Sequence, residues 1–181
     1  AVSNGLTNQS VFSLAVSGSN MFAGANSGVS LSTNSGQSWI AVNNGLTNQS
    51  VISLATTGGN LFAGASRGVF LSTNNGQSWA GVSNGLPNEP VYCLTVSGSS
   101  LFAGTIGGAF LSLNNGQSWA AINNGLAAQY VYALTVAGSN LFAATGANGV
   151  FLSTNNGQSW TAVNNGLANQ YGYCLAVSGS N

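Results

Sequence analysis

One repeated unit of 40 residues accounts for almost the whole chain, and it constrains the fold more than any other feature. The segment 1–40 recurs at 41–80, at 81–120 and, with one inserted residue near Asn148, at 121–161. A half copy follows at 162–181. Such a period is typical of architectures that stack one supersecondary unit many times. We therefore expect one repeat array rather than a single conventional core.

Each copy contains four short apolar runs, which in the first copy are 11–16, 21–24, 29–32 and 38–42. Runs of this length that are rich in Val, Phe, Leu and Trp, and bounded by Gly, Asn and Ser, predict antiparallel strands. A Gly or Asn every few residues disfavours helix. Four strands per repeat predict an all-β fold made of β-propeller blades. A β-solenoid is the alternative, although its coils are usually shorter and have fewer strands.

A turn motif recurs before the fourth run of each complete copy. It reads S-x-N-x-G-x-x-W, and its four occurrences are Ser32, Asn34, Gly36 and Trp39; Ser72, Asn74, Gly76 and Trp79; Ser112, Asn114, Gly116 and Trp119; and Ser153, Asn155, Gly157 and Trp160. The motif resembles the Asp box, S-x-D-x-G-x-x-W, of the Asp-box (BNR-repeat) β-propellers, a family that includes sialidases. The resemblance covers essentially the whole chain. It implies a hairpin between the third and fourth strands of a blade, on the face opposite the binding site.

The chemistry of the motif agrees with a structural role. Gly permits a positive φ, Asn can hydrogen-bond the turn backbone, and we expect Trp to be buried between blades. Asn replaces the family's Asp in all four copies, so the turn should persist with weaker hydrogen bonds than a carboxylate makes. Because hard cations need several anionic or carbonyl oxygens, we expect no metal site here.

Charged side chains are almost absent, since Arg67 and Glu89 are the only ones and the chain has no His, Lys or Asp. Acid–base pairs, Ser–His–Asp arrangements and carboxylate-bound metals need groups that are missing, so we assign no catalytic residue and no cofactor. The arginine cluster, Tyr–Glu pair and Asp acid implied by the sialidase resemblance cannot be assembled. The chain is therefore not expected to be an enzyme.

Two further classes of partner are not expected. Nucleic-acid binding needs Lys or Arg to neutralise phosphates. Membrane insertion as a helix needs about 18 consecutive apolar residues, and Gly, Ser and Asn interrupt every apolar run well before that length.

Substitutions between copies concentrate in two segments. One is the turn into the first strand (7–10, 47–50, 87–90, 127–130 and 168–171), and the other joins the second and third strands (26–27, 66–67, 106–107 and 147–148). In an up-and-down blade both segments lie on one face, as is usual for binding surfaces. Unconstrained drift of loops is an equal alternative. The candidate ligand-binding residues on this face are Tyr130, Tyr171, Asn26, Arg67 and Glu89.

The sequence thus predicts a non-catalytic scaffold, extracellular or at the cell surface, that binds glycan or protein through its variable face. Tyr130 and Tyr171 would stack on sugar rings or apolar side chains. The alternative is a structural protein that self-assembles into a filament, sheath or surface layer, because near-zero net charge favours association. Nearly identical copies are also what consensus design produces. We expect the half copy to be completed by further sequence or by a neighbouring copy.

Two cysteines and two sequons complete the inventory. Cys93 and Cys174 occupy equivalent first-strand positions two copies apart, so we expect no disulfide between them. We interpret both as small buried core residues. Asn8-Gln-Ser10 and Asn48-Gln-Ser50 match the N-glycosylation pattern, a weak signal in a chain rich in Asn and Ser.

Overall fold

A computed structural model describes residues 4–6, 9–46, 49–126, 130–168 and 171–178. These residues form sixteen strands in four antiparallel sheets and contain no helix. No helix long and apolar enough to span a bilayer therefore occurs in this part of the chain. The sequon residues Asn8 and Asn48 lie outside the described residues.

Each sheet is an up-and-down meander whose four strands follow chain order. The first sheet contains β1 (Val11–Ser17), β2 (Asn20–Ala25), β3 (Gly28–Ser32) and β4 (Ile40–Ala41). The second contains β5 (Val51–Thr57), β6 (Asn60–Ala65), β7 (Val69–Ser72) and β8 (Ala80–Gly81). The third contains β9 (Val91–Ser97), β10 (Ser100–Thr105), β11 (Gly108–Ser112) and β12 (Ala120–Ala121), and the fourth β13 (Val131–Ala137), β14 (Asn140–Thr145), β15 (Val150–Ser153) and β16 (Thr161–Ala162). The prediction of all-β, four-stranded antiparallel blades is confirmed.

The fourth strand of each sheet is shorter than the sequence predicts. Within the apolar run 38–42, Ile40–Ala41 form the strand that pairs with β3, and the Val42 N–H adds one bond to the Val29 carbonyl oxygen at 2.9 Å. The Trp39 backbone N–H instead donates to the carbonyl oxygen of Asn4 at 2.8 Å. One copy later, the Trp79 N–H donates to the Asn44 carbonyl oxygen at 2.8 Å. The backbone at the motif tryptophan is therefore used to reach the preceding turn rather than to extend the sheet.

Successive sheets pack through their first strands, since β1 contacts β5, β5 contacts β9 and β9 contacts β13. A separate apolar core fills each junction. The core between the first two sheets unites Phe22 and Val29 with Val51, Leu61 and Trp79. Since only adjacent sheets share a core, the stability of the array depends on its junctions.

The four sheets do not close into a ring within the described residues. At one end, Phe12 and Leu14 on β1 are 53% and 61% exposed, whereas Leu54, the equivalent of Leu14 on β5, is 9% exposed. At the other end, residues 171–178 lie beside the fourth sheet, and the Gly172 N–H donates to the Thr145 carbonyl oxygen at 2.9 Å.

The interpretation of both cysteines as buried core residues is wrong for Cys174. Both thiols are free, Cys93 is partly buried and Cys174 is exposed. The difference has a simple cause. Cys93 lies on β9 and is covered by β10, where Gly104 is its pairing partner, whereas no strand of the described residues pairs with 171–178.

Candidate binding surface

The two variable segments of each copy lie side by side on one face of the array. The Asn26 N–H donates to the Ser10 carbonyl oxygen at 3.1 Å, and the Ser10 N–H donates to Asn26 Oδ1 at 3.1 Å. In the fourth sheet the Gly146 N–H donates to the Tyr130 carbonyl oxygen at 3.0 Å. We call this surface the loop face. It consists of the described parts of the turns into β1, β5, β9 and β13 and of the connections β2–β3, β6–β7, β10–β11 and β14–β15.

Hydrogen bonds also join the loop face from one sheet to the next. Ser50 Oγ donates to the Asn26 carbonyl oxygen at 3.1 Å. The Gly68 N–H donates to the Glu89 carbonyl oxygen at 3.2 Å, which places the connection that carries Arg67 against the turn that carries Glu89. Asn26 and Arg67 are exposed, whereas Glu89 is partly buried and its Oε2 has no hydrogen-bond partner among the described residues.

Tyrosines form a continuous cluster at the end of the loop face formed by the third and fourth sheets. The ring centroid of Tyr132 lies 5.1 Å from that of Tyr92, 6.0 Å from that of Tyr130 and 5.3 Å from that of Tyr173. Tyr92 and Tyr132 are partly buried, while Tyr173 is 69% exposed. We call these four residues the tyrosine cluster. It presents aromatic surface to solvent on a packed base.

Two of these tyrosines are positioned by β-bulges. The pairing of β9 with β10 passes from Val91 to Cys93 and leaves Tyr92 without a partner. The first strand of the fourth sheet has the same irregularity at Tyr132. A bulge leaves one residue unpaired and redirects its side chain. Sequence reasoning missed Tyr92, Tyr132 and Tyr173, although a tyrosine at one position of three successive copies was a usable signal.

The residues singled out from the sequence are distributed along the loop face. Tyr130 belongs to the tyrosine cluster, and Tyr171 is exposed two residues before Tyr173. Asn26 belongs to the first sheet and Arg67 to the second, so the structure does not gather all the candidates at one point. Glu89 belongs to the turn into β9, three residues before Tyr92, at the end of the loop face that carries the tyrosines.

Tyr92, in the packed base of the tyrosine cluster, is uncharged at neutral pH. Burial raises the pKa of Tyr92 above the ordinary value of tyrosine, and the neighbouring tyrosines and the Glu89 carboxylate raise it further. The phenol therefore keeps its proton and can donate a hydrogen bond.

Gly146 packs beneath the cluster, since a Cβ there would lie 2.9 Å from Tyr132 Cε2 and 3.0 Å from Tyr130 Cβ.

The S-x-N-x-G-x-x-W turns connect the third and fourth strands, on the opposite side from the loop face. In the second copy, Asn74 Oδ1 accepts hydrogen bonds from the Ser78 N–H and the Ser72 hydroxyl, both at 2.9 Å. Asn74 Nδ2 donates to Ser78 Oγ at 2.8 Å, and the Gly76 N–H donates to Ser72 Oγ at 2.8 Å. The amide thus fills the centre of the turn with internal bonds, a structural role.

The other three copies repeat this turn bond for bond. The motif asparagines are exposed, and each accepts the same two hydrogen bonds through Oδ1 as Asn74 does; they are Asn34, Asn114 and Asn155. The motif glycines are buried, have φ values of 82°, 81° and 83°, and donate to the motif serines Ser32, Ser112 and Ser153; they are Gly36, Gly116 and Gly157. The oxygen and amide groups of these turns are therefore occupied within the turn, and the motif adds nothing to the loop face.

The motif tryptophans are all buried, and they are Trp39, Trp79, Trp119 and Trp160. Trp160 packs in the core between the third and fourth sheets, together with Phe102 and Val131. Its indole N–H donates to the carbonyl oxygen of Ile122 at 2.6 Å. The ring thus lies between neighbouring sheets, as the sequence predicts for this position.

Other chemistry is not assembled in the described part of the chain. No group of three or more His, Cys, Asp or Glu side chains comes together there as a metal site would require. A shallow pocket of about 200 Å³ lies beside Trp119 and Leu113 on the third sheet. It is smaller than the roughly 300–1,000 Å³ of typical small-molecule sites. The tyrosine cluster is the stronger candidate.

No family model and no curated protein matches the chain. Solved structures do match. An ancestral GH74 enzyme is 23% identical over 89% of this chain and 26% of its own, with a TM-score of 0.75. The extracellular domain of a candidate hybrid two component system of B. thetaiotaomicron is 17% identical over 91% of this chain and 24% of its own, with a TM-score of 0.73.

A designed protein also matches: the computationally designed Ika4 is 15% identical over 81% of this chain and 91% of its own, with a TM-score of 0.64. The chain therefore spans about a quarter of the GH74 enzyme and of the extracellular domain. At these identities the likeness shows the fold alone, and that fold is an array of four-stranded β-propeller-like blades.

Proposed function

We propose that this chain is a non-catalytic β-propeller scaffold that binds an uncharged carbohydrate on the tyrosine cluster of its loop face. The observation that carries the proposal is the cluster itself. Three tyrosines from equivalent positions of successive copies lie 5.1 and 5.3 Å apart, and the outermost, Tyr173, is largely exposed. Tyrosine combines a large apolar face with a polar hydroxyl, which suits a ligand that has apolar faces and a rim of hydroxyls.

The chemistry around the cluster favours a neutral ligand. Glu89 is the charged group beside the tyrosines, and its carboxylate would repel an anionic sugar. Apart from Glu89 and the exposed Arg67 of the second sheet, the loop face offers uncharged hydrogen-bonding groups, such as the exposed Asn26 amide and the backbone of the turns. Uncharged groups of this kind recognise hydroxyls without the desolvation cost of charged ones.

Residue counts support the absence of catalysis. Hydrolysis of a glycosidic bond ordinarily uses two carboxyl groups, one as acid and one as base or nucleophile. This chain has one, Glu89, so the chemistry of the GH74 neighbours does not transfer with the fold. An extracellular location is proposed because matched structures of the same fold are extracellular domains.

The test is a glycan array followed by calorimetric titration of the best neutral ligand. Tyr173→Ala should weaken binding about tenfold or more, a loss of about 1.4 kcal/mol, whereas Tyr173→Phe keeps the stacking face and should retain most affinity. Leu113→Thr, which restores on the opposite face the residue found in the other copies, is the matched control. Absence of any glycan ligand, or equal affinity of Tyr173→Ala and the parent, would overturn the proposal.

Self-assembly is a second candidate function, favoured by the exposed apolar side chains of β1. Val11, Phe12, Leu14 and Val16 are exposed there, and contiguous apolar patches of this kind often mark interaction sites. Analytical ultracentrifugation and electron microscopy would reveal polymers if this function is correct. A monodisperse monomer at high concentration would exclude it.

A further inference from the structure

At each junction between two complete sheets, a glycine of one sheet packs against a valine of the next. Glycine occurs in the second strand of the leading sheet, opposite a valine at the start of the next sheet. A Cβ built on Gly24 would lie 2.8 Å from Val51 Cγ1, and one built on Gly64 would lie 2.9 Å from Val91 Cγ1. The third junction repeats this, with 2.8 Å from Gly104 to Val131 Cγ1.

Space, rather than backbone conformation, requires these glycines. None of Gly24, Gly64 and Gly104 has a positive φ, so an alanine would adopt the same backbone without strain. Two neighbours occupy the position of the missing methyl group. One is the valine of the next sheet, and the other is the cross-strand partner, since Ser13 Oγ lies 2.6 Å from the Gly24 Cβ position and Cys93 Sγ 2.5 Å from that of Gly104.

At the fourth junction the side chains at all three positions differ in size from their counterparts: one is larger and two are smaller. Ala144 replaces the glycine, Gly172 replaces the valine, and the cross-strand partner of Ala144 is Ala133 in place of Ser or Cys. A Cβ on Gly172 would lie 2.8 Å from Ala144 Cβ. The methyl group of Ala144 therefore fits because both of its neighbours are smaller than their counterparts elsewhere.

Residues 171–178 occupy on the fourth sheet the place that a first strand occupies at the other junctions. The Tyr132–Tyr173 centroid distance is 5.3 Å, and the equivalent Tyr92–Tyr132 distance across the preceding junction is 5.1 Å. The Gly172 N–H also bonds to Thr145 at the end of β14. The half copy is thus seated in register on the fourth sheet.

We propose that the Ala144–Gly172 pair is a specificity element: it directs residues 171–178 to the fourth sheet and rejects the first strand of a second copy. The first strand of a second copy carries Val11, which is exposed. The equivalent valines of the other copies pack against a glycine, not against an alanine. If Val11 of a second copy packed against Ala144, its Cγ1 would lie less than 3 Å from the Ala144 Cβ. Glycine avoids this contact at the other junctions because it has no Cβ. Extension of the array by docking β1 of one molecule on the fourth sheet of another is therefore blocked. This inference does not depend on the proposed ligand.

The first experiment tests the pair within one molecule by hydrogen exchange at the amide of residue 172. Gly172→Val should lose protection by about tenfold or more, because the valine meets Ala144. Adding Ala144→Gly should restore protection to near the parental value. Ala144→Gly alone should keep it, since it only removes a methyl group. Equal protection in all four proteins, or no rescue in the double variant, would overturn the proposal.

The second experiment tests rejection of another copy by sedimentation equilibrium. Gly172→Pro removes the N–H that bonds to Thr145 and so displaces residues 171–178 whichever residue is at 144. Two proteins with this substitution are compared, and they differ by one methyl group. With Ala144 retained, the variant should remain monomeric. With Ala144→Gly added, the fourth sheet accepts Val11 of a second molecule and the protein should associate. Circular dichroism confirms that the four sheets are kept in both. Association of both variants, or of neither, would overturn the proposal.

Discussion

The indole N–H of Trp79 donates a hydrogen bond of 2.8 Å to the carbonyl oxygen of Val42, which directly follows β4 of the preceding sheet. Trp119 makes the same bond to Val82, at 2.8 Å. The tryptophan of each of these repeats therefore joins two sheets by a directed bond as well as by apolar packing. The indole N–H of Trp39, in the first sheet, donates to the carbonyl oxygen of Gly36 in its own turn at 3.1 Å.

Replacing Trp79 by Ala should lower the free energy of unfolding by about 3–5 kcal/mol, because a large buried ring is lost from the junction core. Trp79→Phe keeps most of the ring but leaves the Val42 carbonyl without its donor, and should cost about 1–2 kcal/mol from that loss. Trp119→Phe cuts the equivalent bond to Val82 and should cost a similar amount. Urea denaturation measures all three, and a parental midpoint for Trp79→Ala would contradict the packing role.

Asn74 should be needed for the turn as a hydrogen-bonding group rather than for its charge state. Asn74→Ala removes the acceptor of two bonds and the donor of a third, and should cost about 1–3 kcal/mol. Asn74→Asp restores the residue of the family that the motif resembles. It should be neutral or stabilising, because a carboxylate strengthens both accepted bonds and Ser78 can turn its hydroxyl to donate. A thermal melt in which Asp is as damaging as Ala would contradict this account.

Ser35 is expected to be a weak point of the first copy. It has a φ of 57°, and the equivalent residues Asn75, Asn115 and Asn156 have φ values of 57°, 56° and 56°. Asn tolerates this left-handed conformation better than Ser does. Ser35→Asn should therefore stabilise the protein by about 0.5 kcal/mol, a rise of about 1–2 °C in Tm. Asn75→Ser is the reciprocal variant, and it should lower Tm by a similar amount.

Stability should fall above about pH 8.5 through Cys93. Burial raises the pKa of this thiol to about 12, although the N–H groups of Gly104 and Leu134 lower it in part. In the unfolded chain the thiol titrates near its ordinary value of about 8.5. Between these pH values the unfolded state loses the proton first, so the free energy of unfolding decreases by up to about 1.4 kcal/mol per pH unit. Below about pH 8 both states carry the proton and this contribution is constant.

Cys93→Ser isolates that effect. Serine is the residue of the first two copies, and Ser53 Oγ accepts the Leu94 N–H at 2.8 Å, so the substitution fits the junction. All other titratable groups are the same in both proteins, and the difference between the two curves therefore reports Cys93. We expect the curves to separate from about pH 8.5 upward. Parallel curves up to about pH 10.5 would show that the thiol does not control alkaline stability.

Gly146→Ala should disturb the tyrosine cluster without unfolding the array. The added methyl group would lie within about 3 Å of atoms of Tyr132 and Tyr130, which must move apart. Tyrosine ring signals in NMR spectra should shift, and the affinity for a neutral glycan should fall. Gly81→Ala is a control of the same chemistry, because Gly81 has no positive φ and, beyond its chain neighbours, only Phe70 Cε1 of the described residues, at 3.9 Å, lies within 4 Å of its Cβ position. Unchanged ring signals in Gly146→Ala would contradict the packing described for the cluster.

Much of the fold could be predicted from the sequence, because the strands and turns obey local rules. Alternation of apolar runs with Gly, Asn and Ser located three of the four strands of each sheet to within a residue or two. The fourth strand was overestimated, because the sequence does not reveal that the Trp39 N–H bonds to Asn4 rather than to β3. That bond depends on where the preceding turn lies in space.

The candidate site was predicted less well. The variable segments correctly indicated one face, but the tyrosine cluster depends on two β-bulges that place Tyr92 and Tyr132 outside the ladder. No residue pattern in this sequence signals a bulge. The sequence shows that Ala144 replaces a glycine and Gly172 replaces a valine. It does not show that these two residues touch, because only the packing of the sheets brings them together.

The indole bonds of Trp79, Trp119 and Trp160 all run from one sheet to the sheet before it. This common direction has a consequence for how the array can evolve. Each of the second and third sheets supplies one donor to the sheet before it and one acceptor carbonyl to the sheet after it, as Trp79 and Val82 do for the second sheet. Duplication or loss of a whole interior unit by recombination therefore preserves every junction, and the number of units can drift. The last junction is different, because Ala144 accepts only the segment that carries Gly172. The array can therefore lengthen by duplication of units whose junctions pair glycine with valine, while the Ala144–Gly172 junction keeps its own segment.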